Sequence, residues 1–373
     1  MSTIDPNILN LGKSNYDDDT LILGQQKRGI GDSFSGHHPK LVFLLSQLQS
    51  QDWQEKEIPH HQTKLDFKVC EPHQYEKMIS VLAWQWEADT VVANLQALMS
   101  PFVSSSILNR LYGRIADNEN IHWASYSEIV VNSFDNPRRV IEDILSRQAA
   151  QERLRFTADA YNELYHAGLV YQLGQMPYSQ ELYELVIRFL FVNYLTEAVG
   201  FGSSFVHPFS EARRGVFNSI GHVLQKINND ELGIHAPVGA YVLNAELSTE
   251  RGLMAYNKLR TWFTSTLREL MNSEYAWNAA NFGDGRNHND LSENQLNRYS
   301  RYLATNAMRE LRLPVPDDIL EPSNPLPWMD DWLNANGRQS SAQEERSGLY
   351  LLGNFKSDRR TSPFSSRYSP FQP

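Results

Sequence analysis

The stretch Glu119-Asn-Ile-His122-Trp-Ala-Ser-Tyr126 places a carboxylate, an imidazole and a phenol in one line. Read as helix, Ile115, Glu119, His122, Tyr126 and Ile129 follow spacings of 4, 3, 4 and 3 and share one face. The two isoleucines mark that face as the buried one. Burying an unpartnered carboxylate costs several kcal/mol, so the row needs a physical reason. A metal ion is the simplest one.

Three further apolar stripes carry the same anomaly. Asp89 follows Ile79, Leu82 and Trp86 and precedes Val92, whereas the neighbouring Glu87 falls off that stripe. Glu197 interrupts Leu190, Tyr194, Phe201 and Phe205. Glu231 and His235 sit between Ile227 and Val238. The order is lone carboxylate, Glu with His, lone carboxylate, Glu with His, the ligand pattern of ferritin-like di-metal carboxylate bundles. Four carboxylates and two imidazoles suit two iron ions, two manganese ions or one of each. A ligating imidazole needs an acceptor for its other nitrogen, and Asp230, beside Glu231, is a candidate. Any one such residue taken alone is more often a satisfied core group. Four unpartnered buried carboxylates together would rival the roughly 5–15 kcal/mol that holds a domain together. The last pair is spaced Glu-x-x-x-His. Either a π-bulge helped by Gly233 restores the face, or the site is distorted and His235 is replaced.

The elements that must present these groups are all helical. Helices are expected from Pro39 to Gln51 (Leu41, Phe43, Leu44 and Leu48 inward) and from Pro72 to about Met99. Others run from the Ser104-Ser105-Ser106 cap to Ser133 and from Pro137 to about Leu173. The helix bearing Glu197 is punctuated by Pro208, and a new one begins at Ser210. Helices to about Asn281 and from Glu293 to Leu311 complete the set, separated by a Gly/Asn/Asp loop over 283–290. Strand signals are nearly absent. The fold class is all-α, a ferritin-like bundle over residues 38–334, with an extended arm at 1–37 and a flexible polar tail at 335–373.

Composition narrows the function. The net charge of −10, with no basic block longer than two residues, argues against nucleic acid as a partner. The single cysteine, Cys70, excludes an intrachain disulfide and any multi-thiolate metal site. It fits a reducing compartment. The N-terminus does not read as a signal peptide, and the apolar run near Val186–Val199 carries Arg188, Asn193 and Glu197, too polar for a simple membrane span. A soluble, cytoplasmic protein without membrane association is expected.

Over residues 38 to 353 the chain resembles the small, radical-bearing beta subunit of class I ribonucleotide reductase. The resemblance rests on Glu119-x-x-His122-x-x-x-Tyr126, on Glu197 with Phe201 and Phe205, on Asp230-Glu231, and on Trp53 placed 36 residues before Asp89. Pro327-Trp328 and Gln343-Glu344 with Tyr350-Leu-Leu-Gly353 are similar to the family's tail. The resemblance implies that Asp89, Glu119, His122, Glu197, Glu231 and His235 hold iron or manganese. It implies a radical on Tyr126 in a pocket lined by Phe201 and Phe205, and radical transfer through Trp53, Asp230, Glu344 and Tyr350. It further implies a homodimer whose tail docks on a large alpha subunit, where the thiol chemistry of ribonucleotide reduction must lie. The competing readings are a ferritin-like di-metal oxidase with no reductase partner and a metal-free helical scaffold.

Overall fold

Prolines and small polar caps set most helix starts. Pro39, Pro72 and Pro137 sit in first turns, where a missing N–H costs nothing, and Ser105, Asn136, Ser179, Thr249 and Ser292 cap the helices they precede. A computed structural model of the chain describes residues 10, 12–14, 16, 20–24, 28–32, 36–283 and 288–333. Its helices are α1 (Pro39–Ser50), α2 (His61–Val69), α3 (Pro72–Val92), α4 (Leu95–Met99), α5 (Ser106–Ser133), α6 (Pro137–Leu145), α7 (Gln148–Gln172) and α8 (Gln180–Leu195). They continue as α9 (Gly202–Ser204), α10 (Val206–Ala212), α11 (Asn218–Asp230), α12 (Ala236–Leu247), α13 (Glu250–Phe282), α14 (Glu293–Glu310) and α15 (Asp330–Leu333). Two π-helical segments, Thr196–Phe201 and Glu231–His235, interrupt the rods that run from α8 to α9 and from α11 to α12. Among the described residues there is no strand, only isolated bridges. The fold is the all-α, ferritin-like bundle expected from the sequence.

α3, α5, α7, α8 and α13 pack side by side, and α11, α12 and α14 close the bundle around the two π segments. Gln180–Ala212 forms one helical rod that is long and apolar enough to cross a membrane, yet most of it is buried inside the protein. It carries buried Glu184, Glu197 and Glu211, so it serves as the central rod of the core. The extended segment around Ile22 is held against the bundle. Leu23 N donates to Phe102 O at 2.7 Å, and Arg251 donates to the carbonyls of Ile22 and Leu23 at 2.6 and 2.8 Å. The expected tail over 335–373 lies outside the described residues.

Several expectations of detail are corrected. Phe43 points outward, 53% exposed, with the Lys40 ammonium over its ring, while Leu45 takes the inward place. The long helix from Pro72 stops at Val92, where Asn94 turns its amide back onto the carbonyls of Thr90 and Val91, and α4 restarts after it. The segment after Pro137 is two helices, broken where the Ser146 hydroxyl returns to Asp143 O. Residues 61–69, between the first two expected helices, form α2. Pro208 does not end its helix. It lies in the first turn of α10, where backbone N–H groups lack intrahelical partners in any case.

Candidate metal centre

Four rods bring the six predicted groups together. Asp89 comes from α3, Glu119 and His122 from α5, Glu197 from the first π segment, and Glu231 and His235 from the second. All six are buried, none more than 3% exposed. Ligand atoms of Asp89, Glu119, His122 and Glu231 lie within 4.8 Å of one another, as do those of Glu119, Glu197, Glu231 and His235. Glu119 and Glu231 belong to both groups. That is the geometry of two adjacent cation positions bridged by two carboxylates.

Both imidazoles turn Nδ1 toward the carboxylates. His122 Nδ1 is 3.1 Å from Glu119 and 3.0 Å from Glu231, and His235 Nδ1 is 2.7 Å from Glu231 and 2.9 Å from Glu119. Their outer nitrogens are fixed by separate partners. His122 Nε2 meets Asp230 Oδ2 at 3.1 Å, and His235 Nε2 meets Asn118 Oδ1 at 3.0 Å. Asn118 also donates to Asp230 Oδ2 at 3.1 Å, and the Trp53 indole donates to the same oxygen at 2.8 Å. Trp53 stacks on His122 with ring centroids 5.9 Å apart. Asn118 was not singled out in the sequence; its one signal is its place on α5 a residue before Glu119, since an amide beside a ligand carries no spacing signature.

The π segments set the ligand register. In Glu231–His235 the widened turn absorbs the additional residue of Glu-x-x-x-His, so both side chains still face the centre. A Cβ on Gly233 would meet no atom, so packing does not demand glycine there. In the first π segment a Cβ on Gly200 would come within 3.3 Å of the Trp84 ring, so the close approach of α3 depends on that glycine. Arg153 of α7 then ties the Gly200 carbonyl at 2.9 Å, anchoring the turn that carries Glu197.

The electrostatics show what this centre lacks. Burial, reinforced by the other carboxylates, raises Asp89 and Glu197 well above the usual carboxylate range. Neither oxygen of Asp89 or of Glu197 has a hydrogen-bond partner. Burial opposes charge on the two imidazoles, yet Asp230 and Glu119 raise His122, and Glu231 and Glu119 hold His235 up at about 10. The same imidazoles keep Glu231 low in spite of its burial. Four carboxylates in a dry core thus have only two imidazoles to offset them, and two of the carboxylates are orphaned. Two divalent cations fit this donor set and supply the missing charge.

Tyr126 is fully buried one turn beyond His122. Its hydroxyl has no partner of hydrogen-bond geometry, and burial, then the facing Asp89 carboxylate, raises the phenol well above its ordinary range. Phe201 packs on Trp84 at 5.0 Å between centroids, and Phe205 lies between Phe201 and Phe209. Glu87, set aside in favour of Asp89, is half-buried away from the cluster, and desolvation raises its carboxyl to about 7. Glu344 and Tyr350 lie outside the described residues.

Comparison with known proteins agrees with this geometry. The family model described as "Ribonucleotide reductase, small chain" matches residues 32–316. The beta subunit of ribonucleoside-diphosphate reductase from Haemophilus influenzae is 26% identical over 336 residues, covering 84% of this chain and 86% of that one. The ribonucleotide reductase R2 subunit of Clostridium botulinum superposes with a TM-score of 0.68 at 17% identity, over 84% of this chain and 94% of that one. The dimanganese(II) NrdF of Streptococcus sanguinis gives a TM-score of 0.60 at 16% identity, over 79% of this chain and 96% of that one. The last two establish likeness of fold. With six carboxylate and imidazole side chains converging between four rods and the family model spanning most of the bundle, the chain belongs to the small-chain family of class I ribonucleotide reductases.

Proposed function

We propose that the protein stores an oxidising equivalent on Tyr126 and passes it to a large reductase subunit, which uses it to reduce ribonucleotides to deoxyribonucleotides. The observation that carries this reading is the fully buried Tyr126 hydroxyl facing Asp89 at the edge of a two-position carboxylate centre. Iron or manganese held there supplies, with oxygen, the oxidising power. Asp89, Glu119, His122 and Glu231 would hold one ion; Glu119, Glu197, Glu231 and His235 would hold the other.

The remaining work falls to the chain. The surrounding apolar core, Phe201 and Phe205 included, keeps water and reductants from Tyr126. A phenol held far above its ordinary pKa stays protonated until it is oxidised. The facing Asp89 carboxylate is then positioned to accept its proton. Asp230 joins His122 to the Trp53 indole, which gives the oxidising equivalent a hydrogen-bonded route away from the centre. Glu344 and Tyr350 complete the route on the tail, which docks on the large subunit, and the small subunit works as a cytoplasmic homodimer.

The test is electron paramagnetic resonance of the full chain after aerobic reconstitution with iron or with manganese. A tyrosyl signal that disappears in Tyr126→Phe while two metals remain bound supports the reading. Two bound metals with no tyrosyl signal would remove the radical role. For docking, a peptide of the last twenty residues should compete with the large subunit; if it leaves assembly unchanged, that part fails.

A further inference from the structure

A second cluster of metal-binding side chains lies outside the carboxylate centre. His207 and Glu211 are one turn apart on α10, and His288 comes six residues after the end of α13. All three are buried, at 3%, 0% and 7% exposure, and their ligand atoms lie within 4.8 Å of one another. The decisive feature is His207. Neither of its ring nitrogens has a hydrogen-bond partner, although Nε2 lies 4.0 Å from Glu211 Oε1. A buried imidazole left unpartnered on both sides is destabilising unless something else engages it.

The other two members are already braced from outside. His288 Nε2 meets Glu211 Oε1, while His288 Nδ1 meets His73 Nε2 at 3.0 Å. Gln74 Nε2 donates to Glu211 Oε2 at 2.9 Å, which leaves Oε1 directed into the cluster. These are the outer contacts that orient an imidazole and a carboxylate for a metal. The nearby Lys77 ammonium is turned onto the Phe282 ring, 4.5 Å from its centroid.

We propose that His207, Glu211 and His288 form a zinc site, separate from the carboxylate centre and independent of the radical reading. Two imidazoles and one carboxylate are a borderline donor set suited to zinc, with a water in the fourth position. Ligand atoms on a tetrahedral zinc stand about 3.4 Å apart. His207 and Glu211 therefore need to close by about half an ångström, and the Glu211–His288 contact opens to admit the ion. The ion clasps α10 to the chain after α13. Through His73 and Gln74 it also reaches the first turn of α3, the helix that carries Asp89.

The test uses the full chain with its carboxylate centre first loaded with iron. Zinc chloride is then titrated in competition with a chromophoric chelator, and bound zinc and iron are counted. One tight zinc equivalent is expected in the unaltered protein, absent in His288→Ala and in His207→Gln, with iron content and any tyrosyl signal retained in both. Cobalt(II) in place of zinc should give intense visible absorption of four-coordinate character, lost in the same variants. If His207→Gln fails to fold, His288→Ala alone decides. No zinc uptake by the iron-loaded protein, or uptake that survives His288→Ala, would overturn the site.

Discussion

Two buried ionic clusters lie in the same bundle and are solved in opposite ways. Around Arg153 the charge is paired within the chain, although Nη1 has no hydrogen-bond partner. The guanidinium donates to both oxygens of Glu274 at 2.7 and 2.9 Å, to Gly200 O and to Ser203 Oγ, and its flat face lies 3.8 Å from the Trp84 centroid. Around Glu119 the charge is left open: four carboxylates face two imidazoles, and the nearest cationic group to Asp89 is His122 Nδ1 at 3.9 Å. Burial alone therefore does not mark function. A buried charge whose opposite is supplied by the same chain is already compensated, whereas one whose opposite is missing marks where something else must bind.

Removing a bridging carboxylate should have the largest effect. Glu119→Gln takes one ligand from both cation positions, so bound metal should fall from two per chain to below one and the tyrosyl signal should disappear, checked by elemental analysis and paramagnetic resonance. Retention of both metals would break the contrast between the clusters. Arg153→Met strands Glu274 and releases the Gly200 carbonyl. It should cost about 3–5 kcal/mol in denaturant unfolding yet leave the metal count of the refolded protein unchanged. A smaller effect is expected from Asn118→Ala, which frees the outer nitrogen of His235. Metal affinity should weaken about 10–100-fold in chelator competition, with stability falling by about 1–3 kcal/mol.

The smallest effect concerns a buried group in neither cluster. Burial lowers His60 to about 4, against an opposing pull from Glu128. The unfolded chain binds the proton near 6.5, so between these values the unfolded state holds more protons and stability falls as pH falls. Lowering the pH from 7 to 5 should cost about 1–2 kcal/mol through this residue. The urea midpoint of His60→Gln should fall less over that interval than that of the parent; equal slopes would contradict the assignment.

The contrast also explains what was legible in the sequence. The carboxylates at Asp89, Glu119, Glu197 and Glu231 stand out because a helical stripe has a strict period and an acid within it is an exception to one rule. Glu274 breaks its stripe in the same way, on α13, but its meaning depends on Arg153, 121 residues away, and no local pattern carries that pairing. The widened turn at Glu231–His235 could be inferred because two recognisable ligands flank it. The one at Thr196–Phe201 has a single ligand and no register to betray it. His207 and Glu211 escaped for a different reason. Reading Pro208 as a helix end separates two residues that a first-turn proline leaves on one face. Their third partner, His288, comes from beyond a polar loop with no period at all.

The central claim is that two cations share the bridging carboxylates Glu119 and Glu231. Anomalous diffraction from crystals of the iron- or manganese-loaded chain tests it directly. Two peaks about 3.5–4 Å apart are predicted. One should lie in ligand range of Asp89 and His122, the other in range of Glu197 and His235. A single peak, or none between α3, α5 and the two π segments, would contradict it.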